Sequence, residues 1–348
     1  MKSLNIIGID LAKNVFYVHG MTPQGRKLFS RKLTRNQVTA FFANQPRSLV
    51  GMESCASSLY WSRIIEECGH EVRRMPAQFV APYRRGNKTD ATDAAAICEA
   101  VQRPNMRFVP NKNQEQADIQ AIHRVRSGFV RSRTAVINQA RGLLAENGII
   151  IPQGARRVRS ELARIIDDEQ NGLSGLMRQL LNTLYAYLVT LEEHIAHQNE
   201  LISQVCKNND DCKRLLKIPG IGVMTATLLL SLSGNVTSFK NGREFSSYVG
   251  LTPKEHSSGG KQRLGGITKR GNAYARTLLV HGARSVISML KLGHIPYNSG
   301  PMYTWLQRLV ETKGTQKACV ALANKNARIA WNILTKKTDF QIPMNEAA

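Results

Sequence analysis

The sequence predicts an α/β domain followed by mainly helical segments. Three observations carry that class: short apolar runs ending in acids within the first third, three- and four-residue apolar spacing after about residue 112, and glycine-marked helix entrances beyond residue 206. At 348 residues the chain has room for two or three domains of ordinary size. The expected division is 1–112, 113–206 and 207–337, with 338–348 a loose tail that lacks periodicity.

In the first domain Asn5 to Asp10 and Val15 to Gly20 flank a turn at Leu11 to Asn14, and Thr22-Pro23-Gln24-Gly25 turns the chain into Arg26 to Leu33. Apolar runs between turn signals make this an antiparallel meander. Helices follow at Gln37 to Ala43 and Tyr60 to Glu67, with strands at Leu49 to Glu53 and Glu71 to Met75. Three antiparallel strands and then strand–helix–strand is the order of an RNase H-like domain, a mixed sheet with helices on both faces.

Four acids punctuate that pattern. Asp10 ends the run Leu4 to Ile9, Glu53 ends Leu49 to Met52, and Asp90 and Asp93 open a helix on one shared face. Aspartate is depleted in strands, so an acid where an apolar strand runs out belongs at the rim of a sheet. Taken alone, Asp90 and Asp93 also fit an N-cap and a first-turn acid complementing the helix dipole. Taken together, the four fit a site for Mg²⁺ or Mn²⁺. Such ions prefer carboxylate and phosphate oxygens, and a pair about 4 Å apart clamps the attacking and leaving oxygens of a phosphodiester. Lys13 and Lys88 stand beside these acids, as surface lysines or as neutralisers of phosphate charge.

Composition points to the same partner. Lys+Arg number 48 against 25 Asp+Glu, a formal charge of +23, which favours a polyanion over a small neutral substrate. The six cysteines form no C-x-x-C pair and have no histidine at zinc spacing, so they read as reduced, mostly buried thiols of a cytosolic protein. Asp10 interrupts the N-terminal apolar stretch and no cleavage signal follows; the longest apolar run, Ala226 to Leu232, is too short to span a bilayer. No membrane role is expected.

In the middle region Leu173, Leu176, Leu180, Leu184, Leu188, Leu191, Ile195 and Ile202 recur at helical spacing as a narrow stripe, which suits a coiled coil or antiparallel pair. An earlier helix, Gln114 to Asn147, carries Arg124, Arg126, Arg131, Arg133 and Arg141, and Arg156, Arg157 and Arg159 follow it. These are a solvated face or, since few acids offset them, contacts to nucleic-acid phosphates.

The third region opens with Leu215-Leu216-Lys217-Ile218-Pro219-Gly220-Ile221-Gly222 ahead of the apolar helix Val223 to Leu232. Glycines at a helix entrance admit an anion to backbone N–H groups, which gives a helix-hairpin-helix-like element; a plain core helix–turn–helix is the other reading. Tyr248 to Pro253 then leads into a loop, Lys254 to Gly266, holding Ser257, Ser258, Gly259, Gly260, Lys261 and Arg263. Lys269, Arg270, Asn272 and Arg276 lead into another helix, and Ala318 to Leu334 forms the last. In the loop the serines either fill a turn or supply a nucleophile, with Lys254, Lys261, Arg263, Lys269 and Arg270 around its phosphate.

Gly8-Ile9-Asp10-Leu11-Ala12-Lys13, Met52-Glu53-Ser54, Lys88 to Ala94, Ile218 to Gly222, and Gly250 to Pro253 through Ser258-Gly259 to Lys269-Arg270-Gly271-Asn272 together resemble the DEDD-type insertion-sequence transposases, a group that includes Piv-like DNA invertases. The likeness runs from residue 4 to about 335 in the family's order. It implies that Asp10, Glu53, Asp90 and Asp93 are the metal-binding tetrad of a RuvC-like domain. It also implies that Ser258 is the serine nucleophile of a C-terminal transposase domain, a role a one-residue shift would pass to Ser257. Further implications are DNA element ends and target as substrates, a structured non-coding guide RNA in some members, and a homo-oligomer, dimer or tetramer, that joins the metal domain of one subunit to the serine domain of another. No organic cofactor is implied. The rivals are a RuvC-like nuclease or junction resolvase that uses water, an actin-like sugar kinase, and a non-catalytic nucleic-acid scaffold.

Overall fold

The computed structural model describes residues 4–233, 238–295 and 300–341, apart from the side chains of Arg156 and Ser233. The chain divides into two compact units, Met1–Asn113 and Gln114–Ala348.

The first unit is a mixed α/β layer structure. Strands β1 (Asn5–Leu11), β2 (Val15–Met21), β3 (Lys27–Thr34), β4 (Ser48–Glu53) and β5 (Glu71–Met75) form one sheet in the order β3-β2-β1-β4-β5. The meander pairs antiparallel, and β4 and β5 join it in parallel. Helices α1 (Gln37–Ala43) and α2 (Ser58–Glu67) cover one face, where Val38, Phe42, Trp61 and Ile65 pack on Ile7, Ile9, Phe16, Val18, Val50 and Met52. A short α3 (Ala77–Val80) and a 3₁₀ turn (Ala81–Tyr83) lead to α4 (Asp90–Ala100), which covers the other face through Ala96, Ile97, Cys98 and Ala100 against Ile6 and Met75.

The second unit is helical. Helices α5 (Gln114–Glu146) and α7 (Gly175–Asn208) pack antiparallel: Leu144 shares a cluster with Leu181, Phe129 stacks on His194, and Arg126 Nε donates to Asn199 Oδ1 at 2.5 Å. Their seam is a heptad of Leu181, Leu188, Ile195 and Ile202, with Leu184 and Leu191 between. Two members of the predicted stripe fall outside it: Leu176 is 68% and Leu180 46% exposed. The stripe takes Leu180 where the seam uses the fully buried Leu181, one residue and about 100° further round the helix. Between the long helices lies α6 (Ala155–Asp167), whose Val158, Leu162 and Ile165 complete the cluster.

Ile119 and Cys206, at the other end of this pair, enter a larger core. It is shared by α8 (Asp210–Leu216), α9 (Val223–Ser233), α10 (Gly242–Tyr248), α11 (Ala273–Lys291), α12 (Pro301–Lys313) and α13 (Thr315–Lys336). Two further strands, β6 (Pro253–Glu255) and β7 (Leu264–Ile267), pair antiparallel where the sequence predicted a loop. The region beyond Lys337 is also less loose than predicted: Lys217 Nζ binds Asp339 Oδ2 at 2.7 Å and Phe340 packs on the core, while residues 342–348 lie outside the described set. Among the described residues no helix is long and apolar enough to cross a membrane.

Candidate acidic site and serine ribbon

The sheet's own alternation gathers the acids. Side chains on a strand point to opposite faces in turn, so Ile6, Gly8 and Asp10 share one face of β1, and Leu49, Gly51 and Glu53 share the same face of the parallel neighbour β4. That is the α4 face. Gly8 and Gly51 are register partners, and both lack side chains where α4 lies. A Cβ on Gly8 would stand 2.2 Å from Ala94 O and 2.5 Å from Cys98 N, and one on Gly51 would stand 2.8 Å from Val101 Cβ. The helix backbone therefore rests on the sheet with its N-terminus at the strand ends that carry Asp10 and Glu53.

Capping of α4 falls to Thr89. Its Oγ1 accepts from Thr92 N at 3.2 Å, and Thr92 Oγ1 accepts from Thr89 N at 3.0 Å, a reciprocal box. Asp90 is thus not the N-cap, and the signal was readable in the spacing of the two threonines. Asp90 is exposed, Asp10 and Glu53 are half-buried, and Asp93 is buried.

Electrostatics report the convergence. Burial first, then Asp93, Asp90 and Glu53, push the Asp10 carboxyl up to about 6. Burial and Asp93 also raise Glu53, opposed by Arg84 and Lys88. Arg84 Nε donates to Asp93 Oδ1, a partner the sequence reading missed; a lone arginine ahead of a helix carries no spacing signal. As the side chains stand, no group of three or more His, Cys, Asp or Glu among the described residues is set to hold a metal ion. The donor chemistry still fits a hard divalent cation. All four are carboxylates, one of them bonded to Arg84, and burial followed by the neighbouring acids raises Asp10.

In the second unit the predicted serine loop is the end of a two-stranded ribbon. Lys261 N donates to Ser258 O at 3.1 Å across Gly259 (φ 57°) and Gly260 (φ 74°), the positive-φ pair that a two-residue type I′ hairpin requires. Glu255 opposes Leu264, His256 N donates to Arg263 O at 3.0 Å, and Ser258 opposes Lys261. By alternation Lys254, His256, Ser258, Lys261 and Arg263 belong to one face, while Glu255, Ser257 and Leu264 belong to the other. Ser257 is tied down: its Oγ donates to Glu255 Oε1 at 2.6 Å and accepts from Arg263 N at 3.1 Å. No side-chain hydrogen bond of Ser258 is found among the described residues, and it is exposed.

The motifs flanking the loop are the ribbon's feet. A Cβ on Gly250 would stand 1.9 Å from Arg270 O, and one on Gly271 would stand 1.9 Å from Tyr248 O. Arg276 Nη1 donates to both Val249 O and Arg270 O at 3.1 Å, stapling the crossing. Lys269 takes a positive φ of 55° beside it, and Lys269 and Arg270 are exposed.

The remaining cations divide. On α5, Arg124 and Arg131 are exposed, whereas Arg126, Arg133 and Arg141 are half-buried; Arg126 bonds Asn199, and Arg141 Nη2 donates to Pro152 O at 2.7 Å. Arg157 and Arg159 are exposed, with Arg159 bonded to Glu192; the Arg156 side chain lies outside the described set. In the hairpin between α8 and α9, Gly220 (φ 87°) is packed on α11, where a Cβ would stand 2.9 Å from Gly282 O. That glycine serves packing; only Gly222 is open.

Comparison with known proteins gives the family. A DEDD-type family model described as a transposase matches residues 7–148, and the model of the "Transposase IS116/IS110/IS902 family" matches residues 212–297. A probable family 20 transposase of Pseudomonas aeruginosa is 43% identical over 340 residues, covering 97% of this chain and 99% of the relative. The transposase of insertion sequence element IS1111A of Coxiella burnetii is 40% identical, covering 98% and 92%, and that of IS1328 of Yersinia enterocolitica is 37% identical, covering 98% and 99%. A strand-end acid cluster and a serine ribbon, matched by one model each within relatives of nearly equal length, make this chain a member of the IS110/IS116 family of insertion-sequence transposases.

Proposed function

We propose that this transposase cuts and rejoins DNA through a serine-linked intermediate formed by Ser258, beside an acidic site that holds Mg²⁺ or Mn²⁺. The observation that carries the reading is the unequal treatment of two adjacent serines: Ser257 is bonded on both sides, while Ser258 stands on the cationic face of an exposed ribbon. In the reaction the Ser258 Oγ–H attacks a backbone phosphorus. An Oγ–P bond forms, the ester bond to the leaving sugar oxygen breaks, and that oxygen takes up a proton. A hydroxyl of the partner strand then attacks the same phosphorus and returns the serine. Each exchange replaces one phosphate ester with another, so no ATP is required. Lys254, Lys261 and Arg263 stabilise the negative oxygens of the transition state from the serine's face, with Lys269 and Arg270 at the ribbon's foot.

Asp10, Glu53, Asp90 and Asp93 would hold the divalent ion, which when bound supplies Lewis-acid stabilisation of the phosphate and the leaving oxygen. Arg84 holds Asp93 until then. The strand order supports an RNase H-like, RuvC-like assignment of 1–112, with 113–206 as a coiled-coil arm and 207–337 as the serine domain. The two chemistries lie in separate units, and a homo-oligomer whose copies complete one another's sites belongs to the same reading. A structured guide RNA and binding of phosphates by Arg124, Arg131 and the open end of the α8–α9 hairpin belong to the same reading, as does action in the cytoplasm.

The test incubates the full chain with Mg²⁺ and element-junction DNA, with and without RNA transcribed from the flanking region, and searches for a DNA-linked peptide. The reading requires that peptide to contain Ser258 and to vanish in Ser258→Ala. Cleavage without any adduct establishes instead a RuvC-like nuclease that uses water.

A further inference from the structure

Apart from both sites, a cavity of about 960 Å³ opens between the start of α10, α12, one face of α13 and the residues after it. Two of the chain's three tryptophans, Trp305 and Trp331, line it with three cations, Arg243, Lys325 and Arg328. On α13 the lining residues Lys325, Arg328 and Trp331 recur at three-residue steps, one face of a helix whose opposite face is core. Lys325 Nζ stands 4.4 Å from the Trp305 ring centroid, so the aromatic and cationic groups are already in register. Among the described residues the one acid in the lining, Asp339, is bonded to Lys217 at 2.7 Å.

These features define a ligand. Indole groups beside Arg243 and Arg328, for which no salt bridge is found among the described residues, suit a flat aromatic group that carries an anion, and the volume lies in the range of sites for small molecules. A chain with a +23 charge in a DNA-recombining family meets such groups as nucleotides. Base-paired duplex hides its ring faces within the stack, so the matching group is an unpaired one.

We propose that this cavity receives one unpaired nucleotide of a single-stranded stretch, its base against the tryptophans and its phosphate on Arg243 and Arg328. The stretch belongs either to DNA opened during recombination or to an RNA; the two share this chemistry. The site does not depend on the serine reading, since binding here involves neither Ser258 nor the acids.

The experiment uses the full chain in EDTA, which keeps cleavage silent, and fluorescence anisotropy with labelled oligo-dT and oligo-rU of about 12 nucleotides and a duplex of mixed sequence. Two variants are compared with the parent: Trp305→Ala, and the exposed-residue double variant Arg243→Ala/Arg328→Ala, which avoids damage to the core. Single-strand affinity should fall about tenfold in each, with duplex affinity held within about twofold. Stronger parent binding of oligo-rU assigns the stretch to RNA, and of oligo-dT to DNA. Equal losses on single strand and duplex reduce the cavity to a general phosphate patch and overturn the proposal, as does an unchanged single-strand affinity. A change in sedimentation of the free chain without change in oligonucleotide affinity overturns it too, by making the cavity a contact between copies. Photocrosslinking of 5-iodouracil strands gives an independent readout, expected on a peptide containing Trp305 or Trp331.

Discussion

The acidic site and the serine ribbon solve opposite problems. The four acids repel one another, and they are held together by a buried sheet and a helix seated on Gly8 and Gly51. The ribbon holds almost nothing inside: residues 253–266 are exposed, Leu264 at 56%, and its order comes from its feet and its tip. Fixed carboxylates need a rigid frame because their mutual repulsion opposes the geometry. The nucleophile proposed for the ribbon would gain from projecting into solvent, where a phosphate carried by another macromolecule can reach it. One site therefore couples strongly to stability, and the other couples mainly to activity.

The widest separation of the two should come from removing each reactive group. Ser258→Ala and Asp10→Asn are each expected to lower strand joining at least about 10³-fold. Their thermal unfolding should differ. Ser258→Ala should stay within about 0.5 kcal/mol of the parent, whereas Asp10→Asn relieves repulsion and should raise metal-free stability. Calorimetry in EDTA beside a joining assay checks both, and a destabilised Asp10→Asn protein would refute the repulsion argument.

Glycine substitutions break the frames themselves. Gly8→Ala drives a methyl into the α4 backbone and should cost about 1–3 kcal/mol. Gly51→Ala meets the buried Val101 Cβ at 2.8 Å, a milder approach than the 2.2 Å at Gly8, and should cost less. Gly271→Ala combines a backbone clash with φ 76°, so joining should fall while metal affinity of the acidic site is retained. Denaturant titration ranks the first two, and Mn²⁺ binding checks the third.

These positions also mark what the sequence could tell. The ends of apolar runs put Asp10 and Glu53 at strand ends, and the turns gave the antiparallel meander. Gly8 and Gly51 read only as strand residues until α4 is seen lying on them, because a helix–sheet contact is not local in sequence. Thr89 and Thr92 were legible as a cap and were passed over for the neighbouring acids. The ribbon was hidden for a different reason: strand signals rest on burial of one face, and this hairpin buries neither. Its Gly259-Gly260 pair was the available signal, since positive φ at both positions selects a two-residue turn. Ser258 was reached by resemblance; Arg84 was missed, and Arg276 was noted without its stapling role, because an arginine becomes meaningful only beside its acceptor.

pH should sharpen the contrast at a smaller scale. Asp10 is raised to about 6 from an ordinary 3.8, so the folded protein holds a proton that the unfolded chain releases. Metal-free stability is then unaffected below about pH 4, falls as pH rises towards 6, and stays lowered above it. Because the group is partly solvated, the loss should be about 1 kcal/mol rather than the full shift. Asp10→Asn should flatten this slope and Ser258→Ala should leave it alone. Apparent Mn²⁺ affinity should climb across the same window, since the ion competes with that proton. A parent protein whose unfolding free energy is flat between pH 4 and 7 would remove the claim.

The smallest effect is expected at the serine next door. In Ser257→Ala the ribbon loses two hydrogen bonds, the one donated to Glu255 and the one accepted from Arg263 N. Both are exposed, so water replaces them at little cost, within about 1 kcal/mol. The turn itself survives, because the Lys261 N to Ser258 O bond and the two glycines do not involve Ser257. Strand joining should fall no more than about fivefold, matching that energy, with an adduct still mapping to Ser258. The comparison is sharp because the loss of one hydroxyl at adjacent positions is asked to give outcomes more than a hundredfold apart. Loss of the adduct in Ser257→Ala, with its survival in Ser258→Ala, would reverse the two serines and turn the cationic face of the ribbon away from the chemistry.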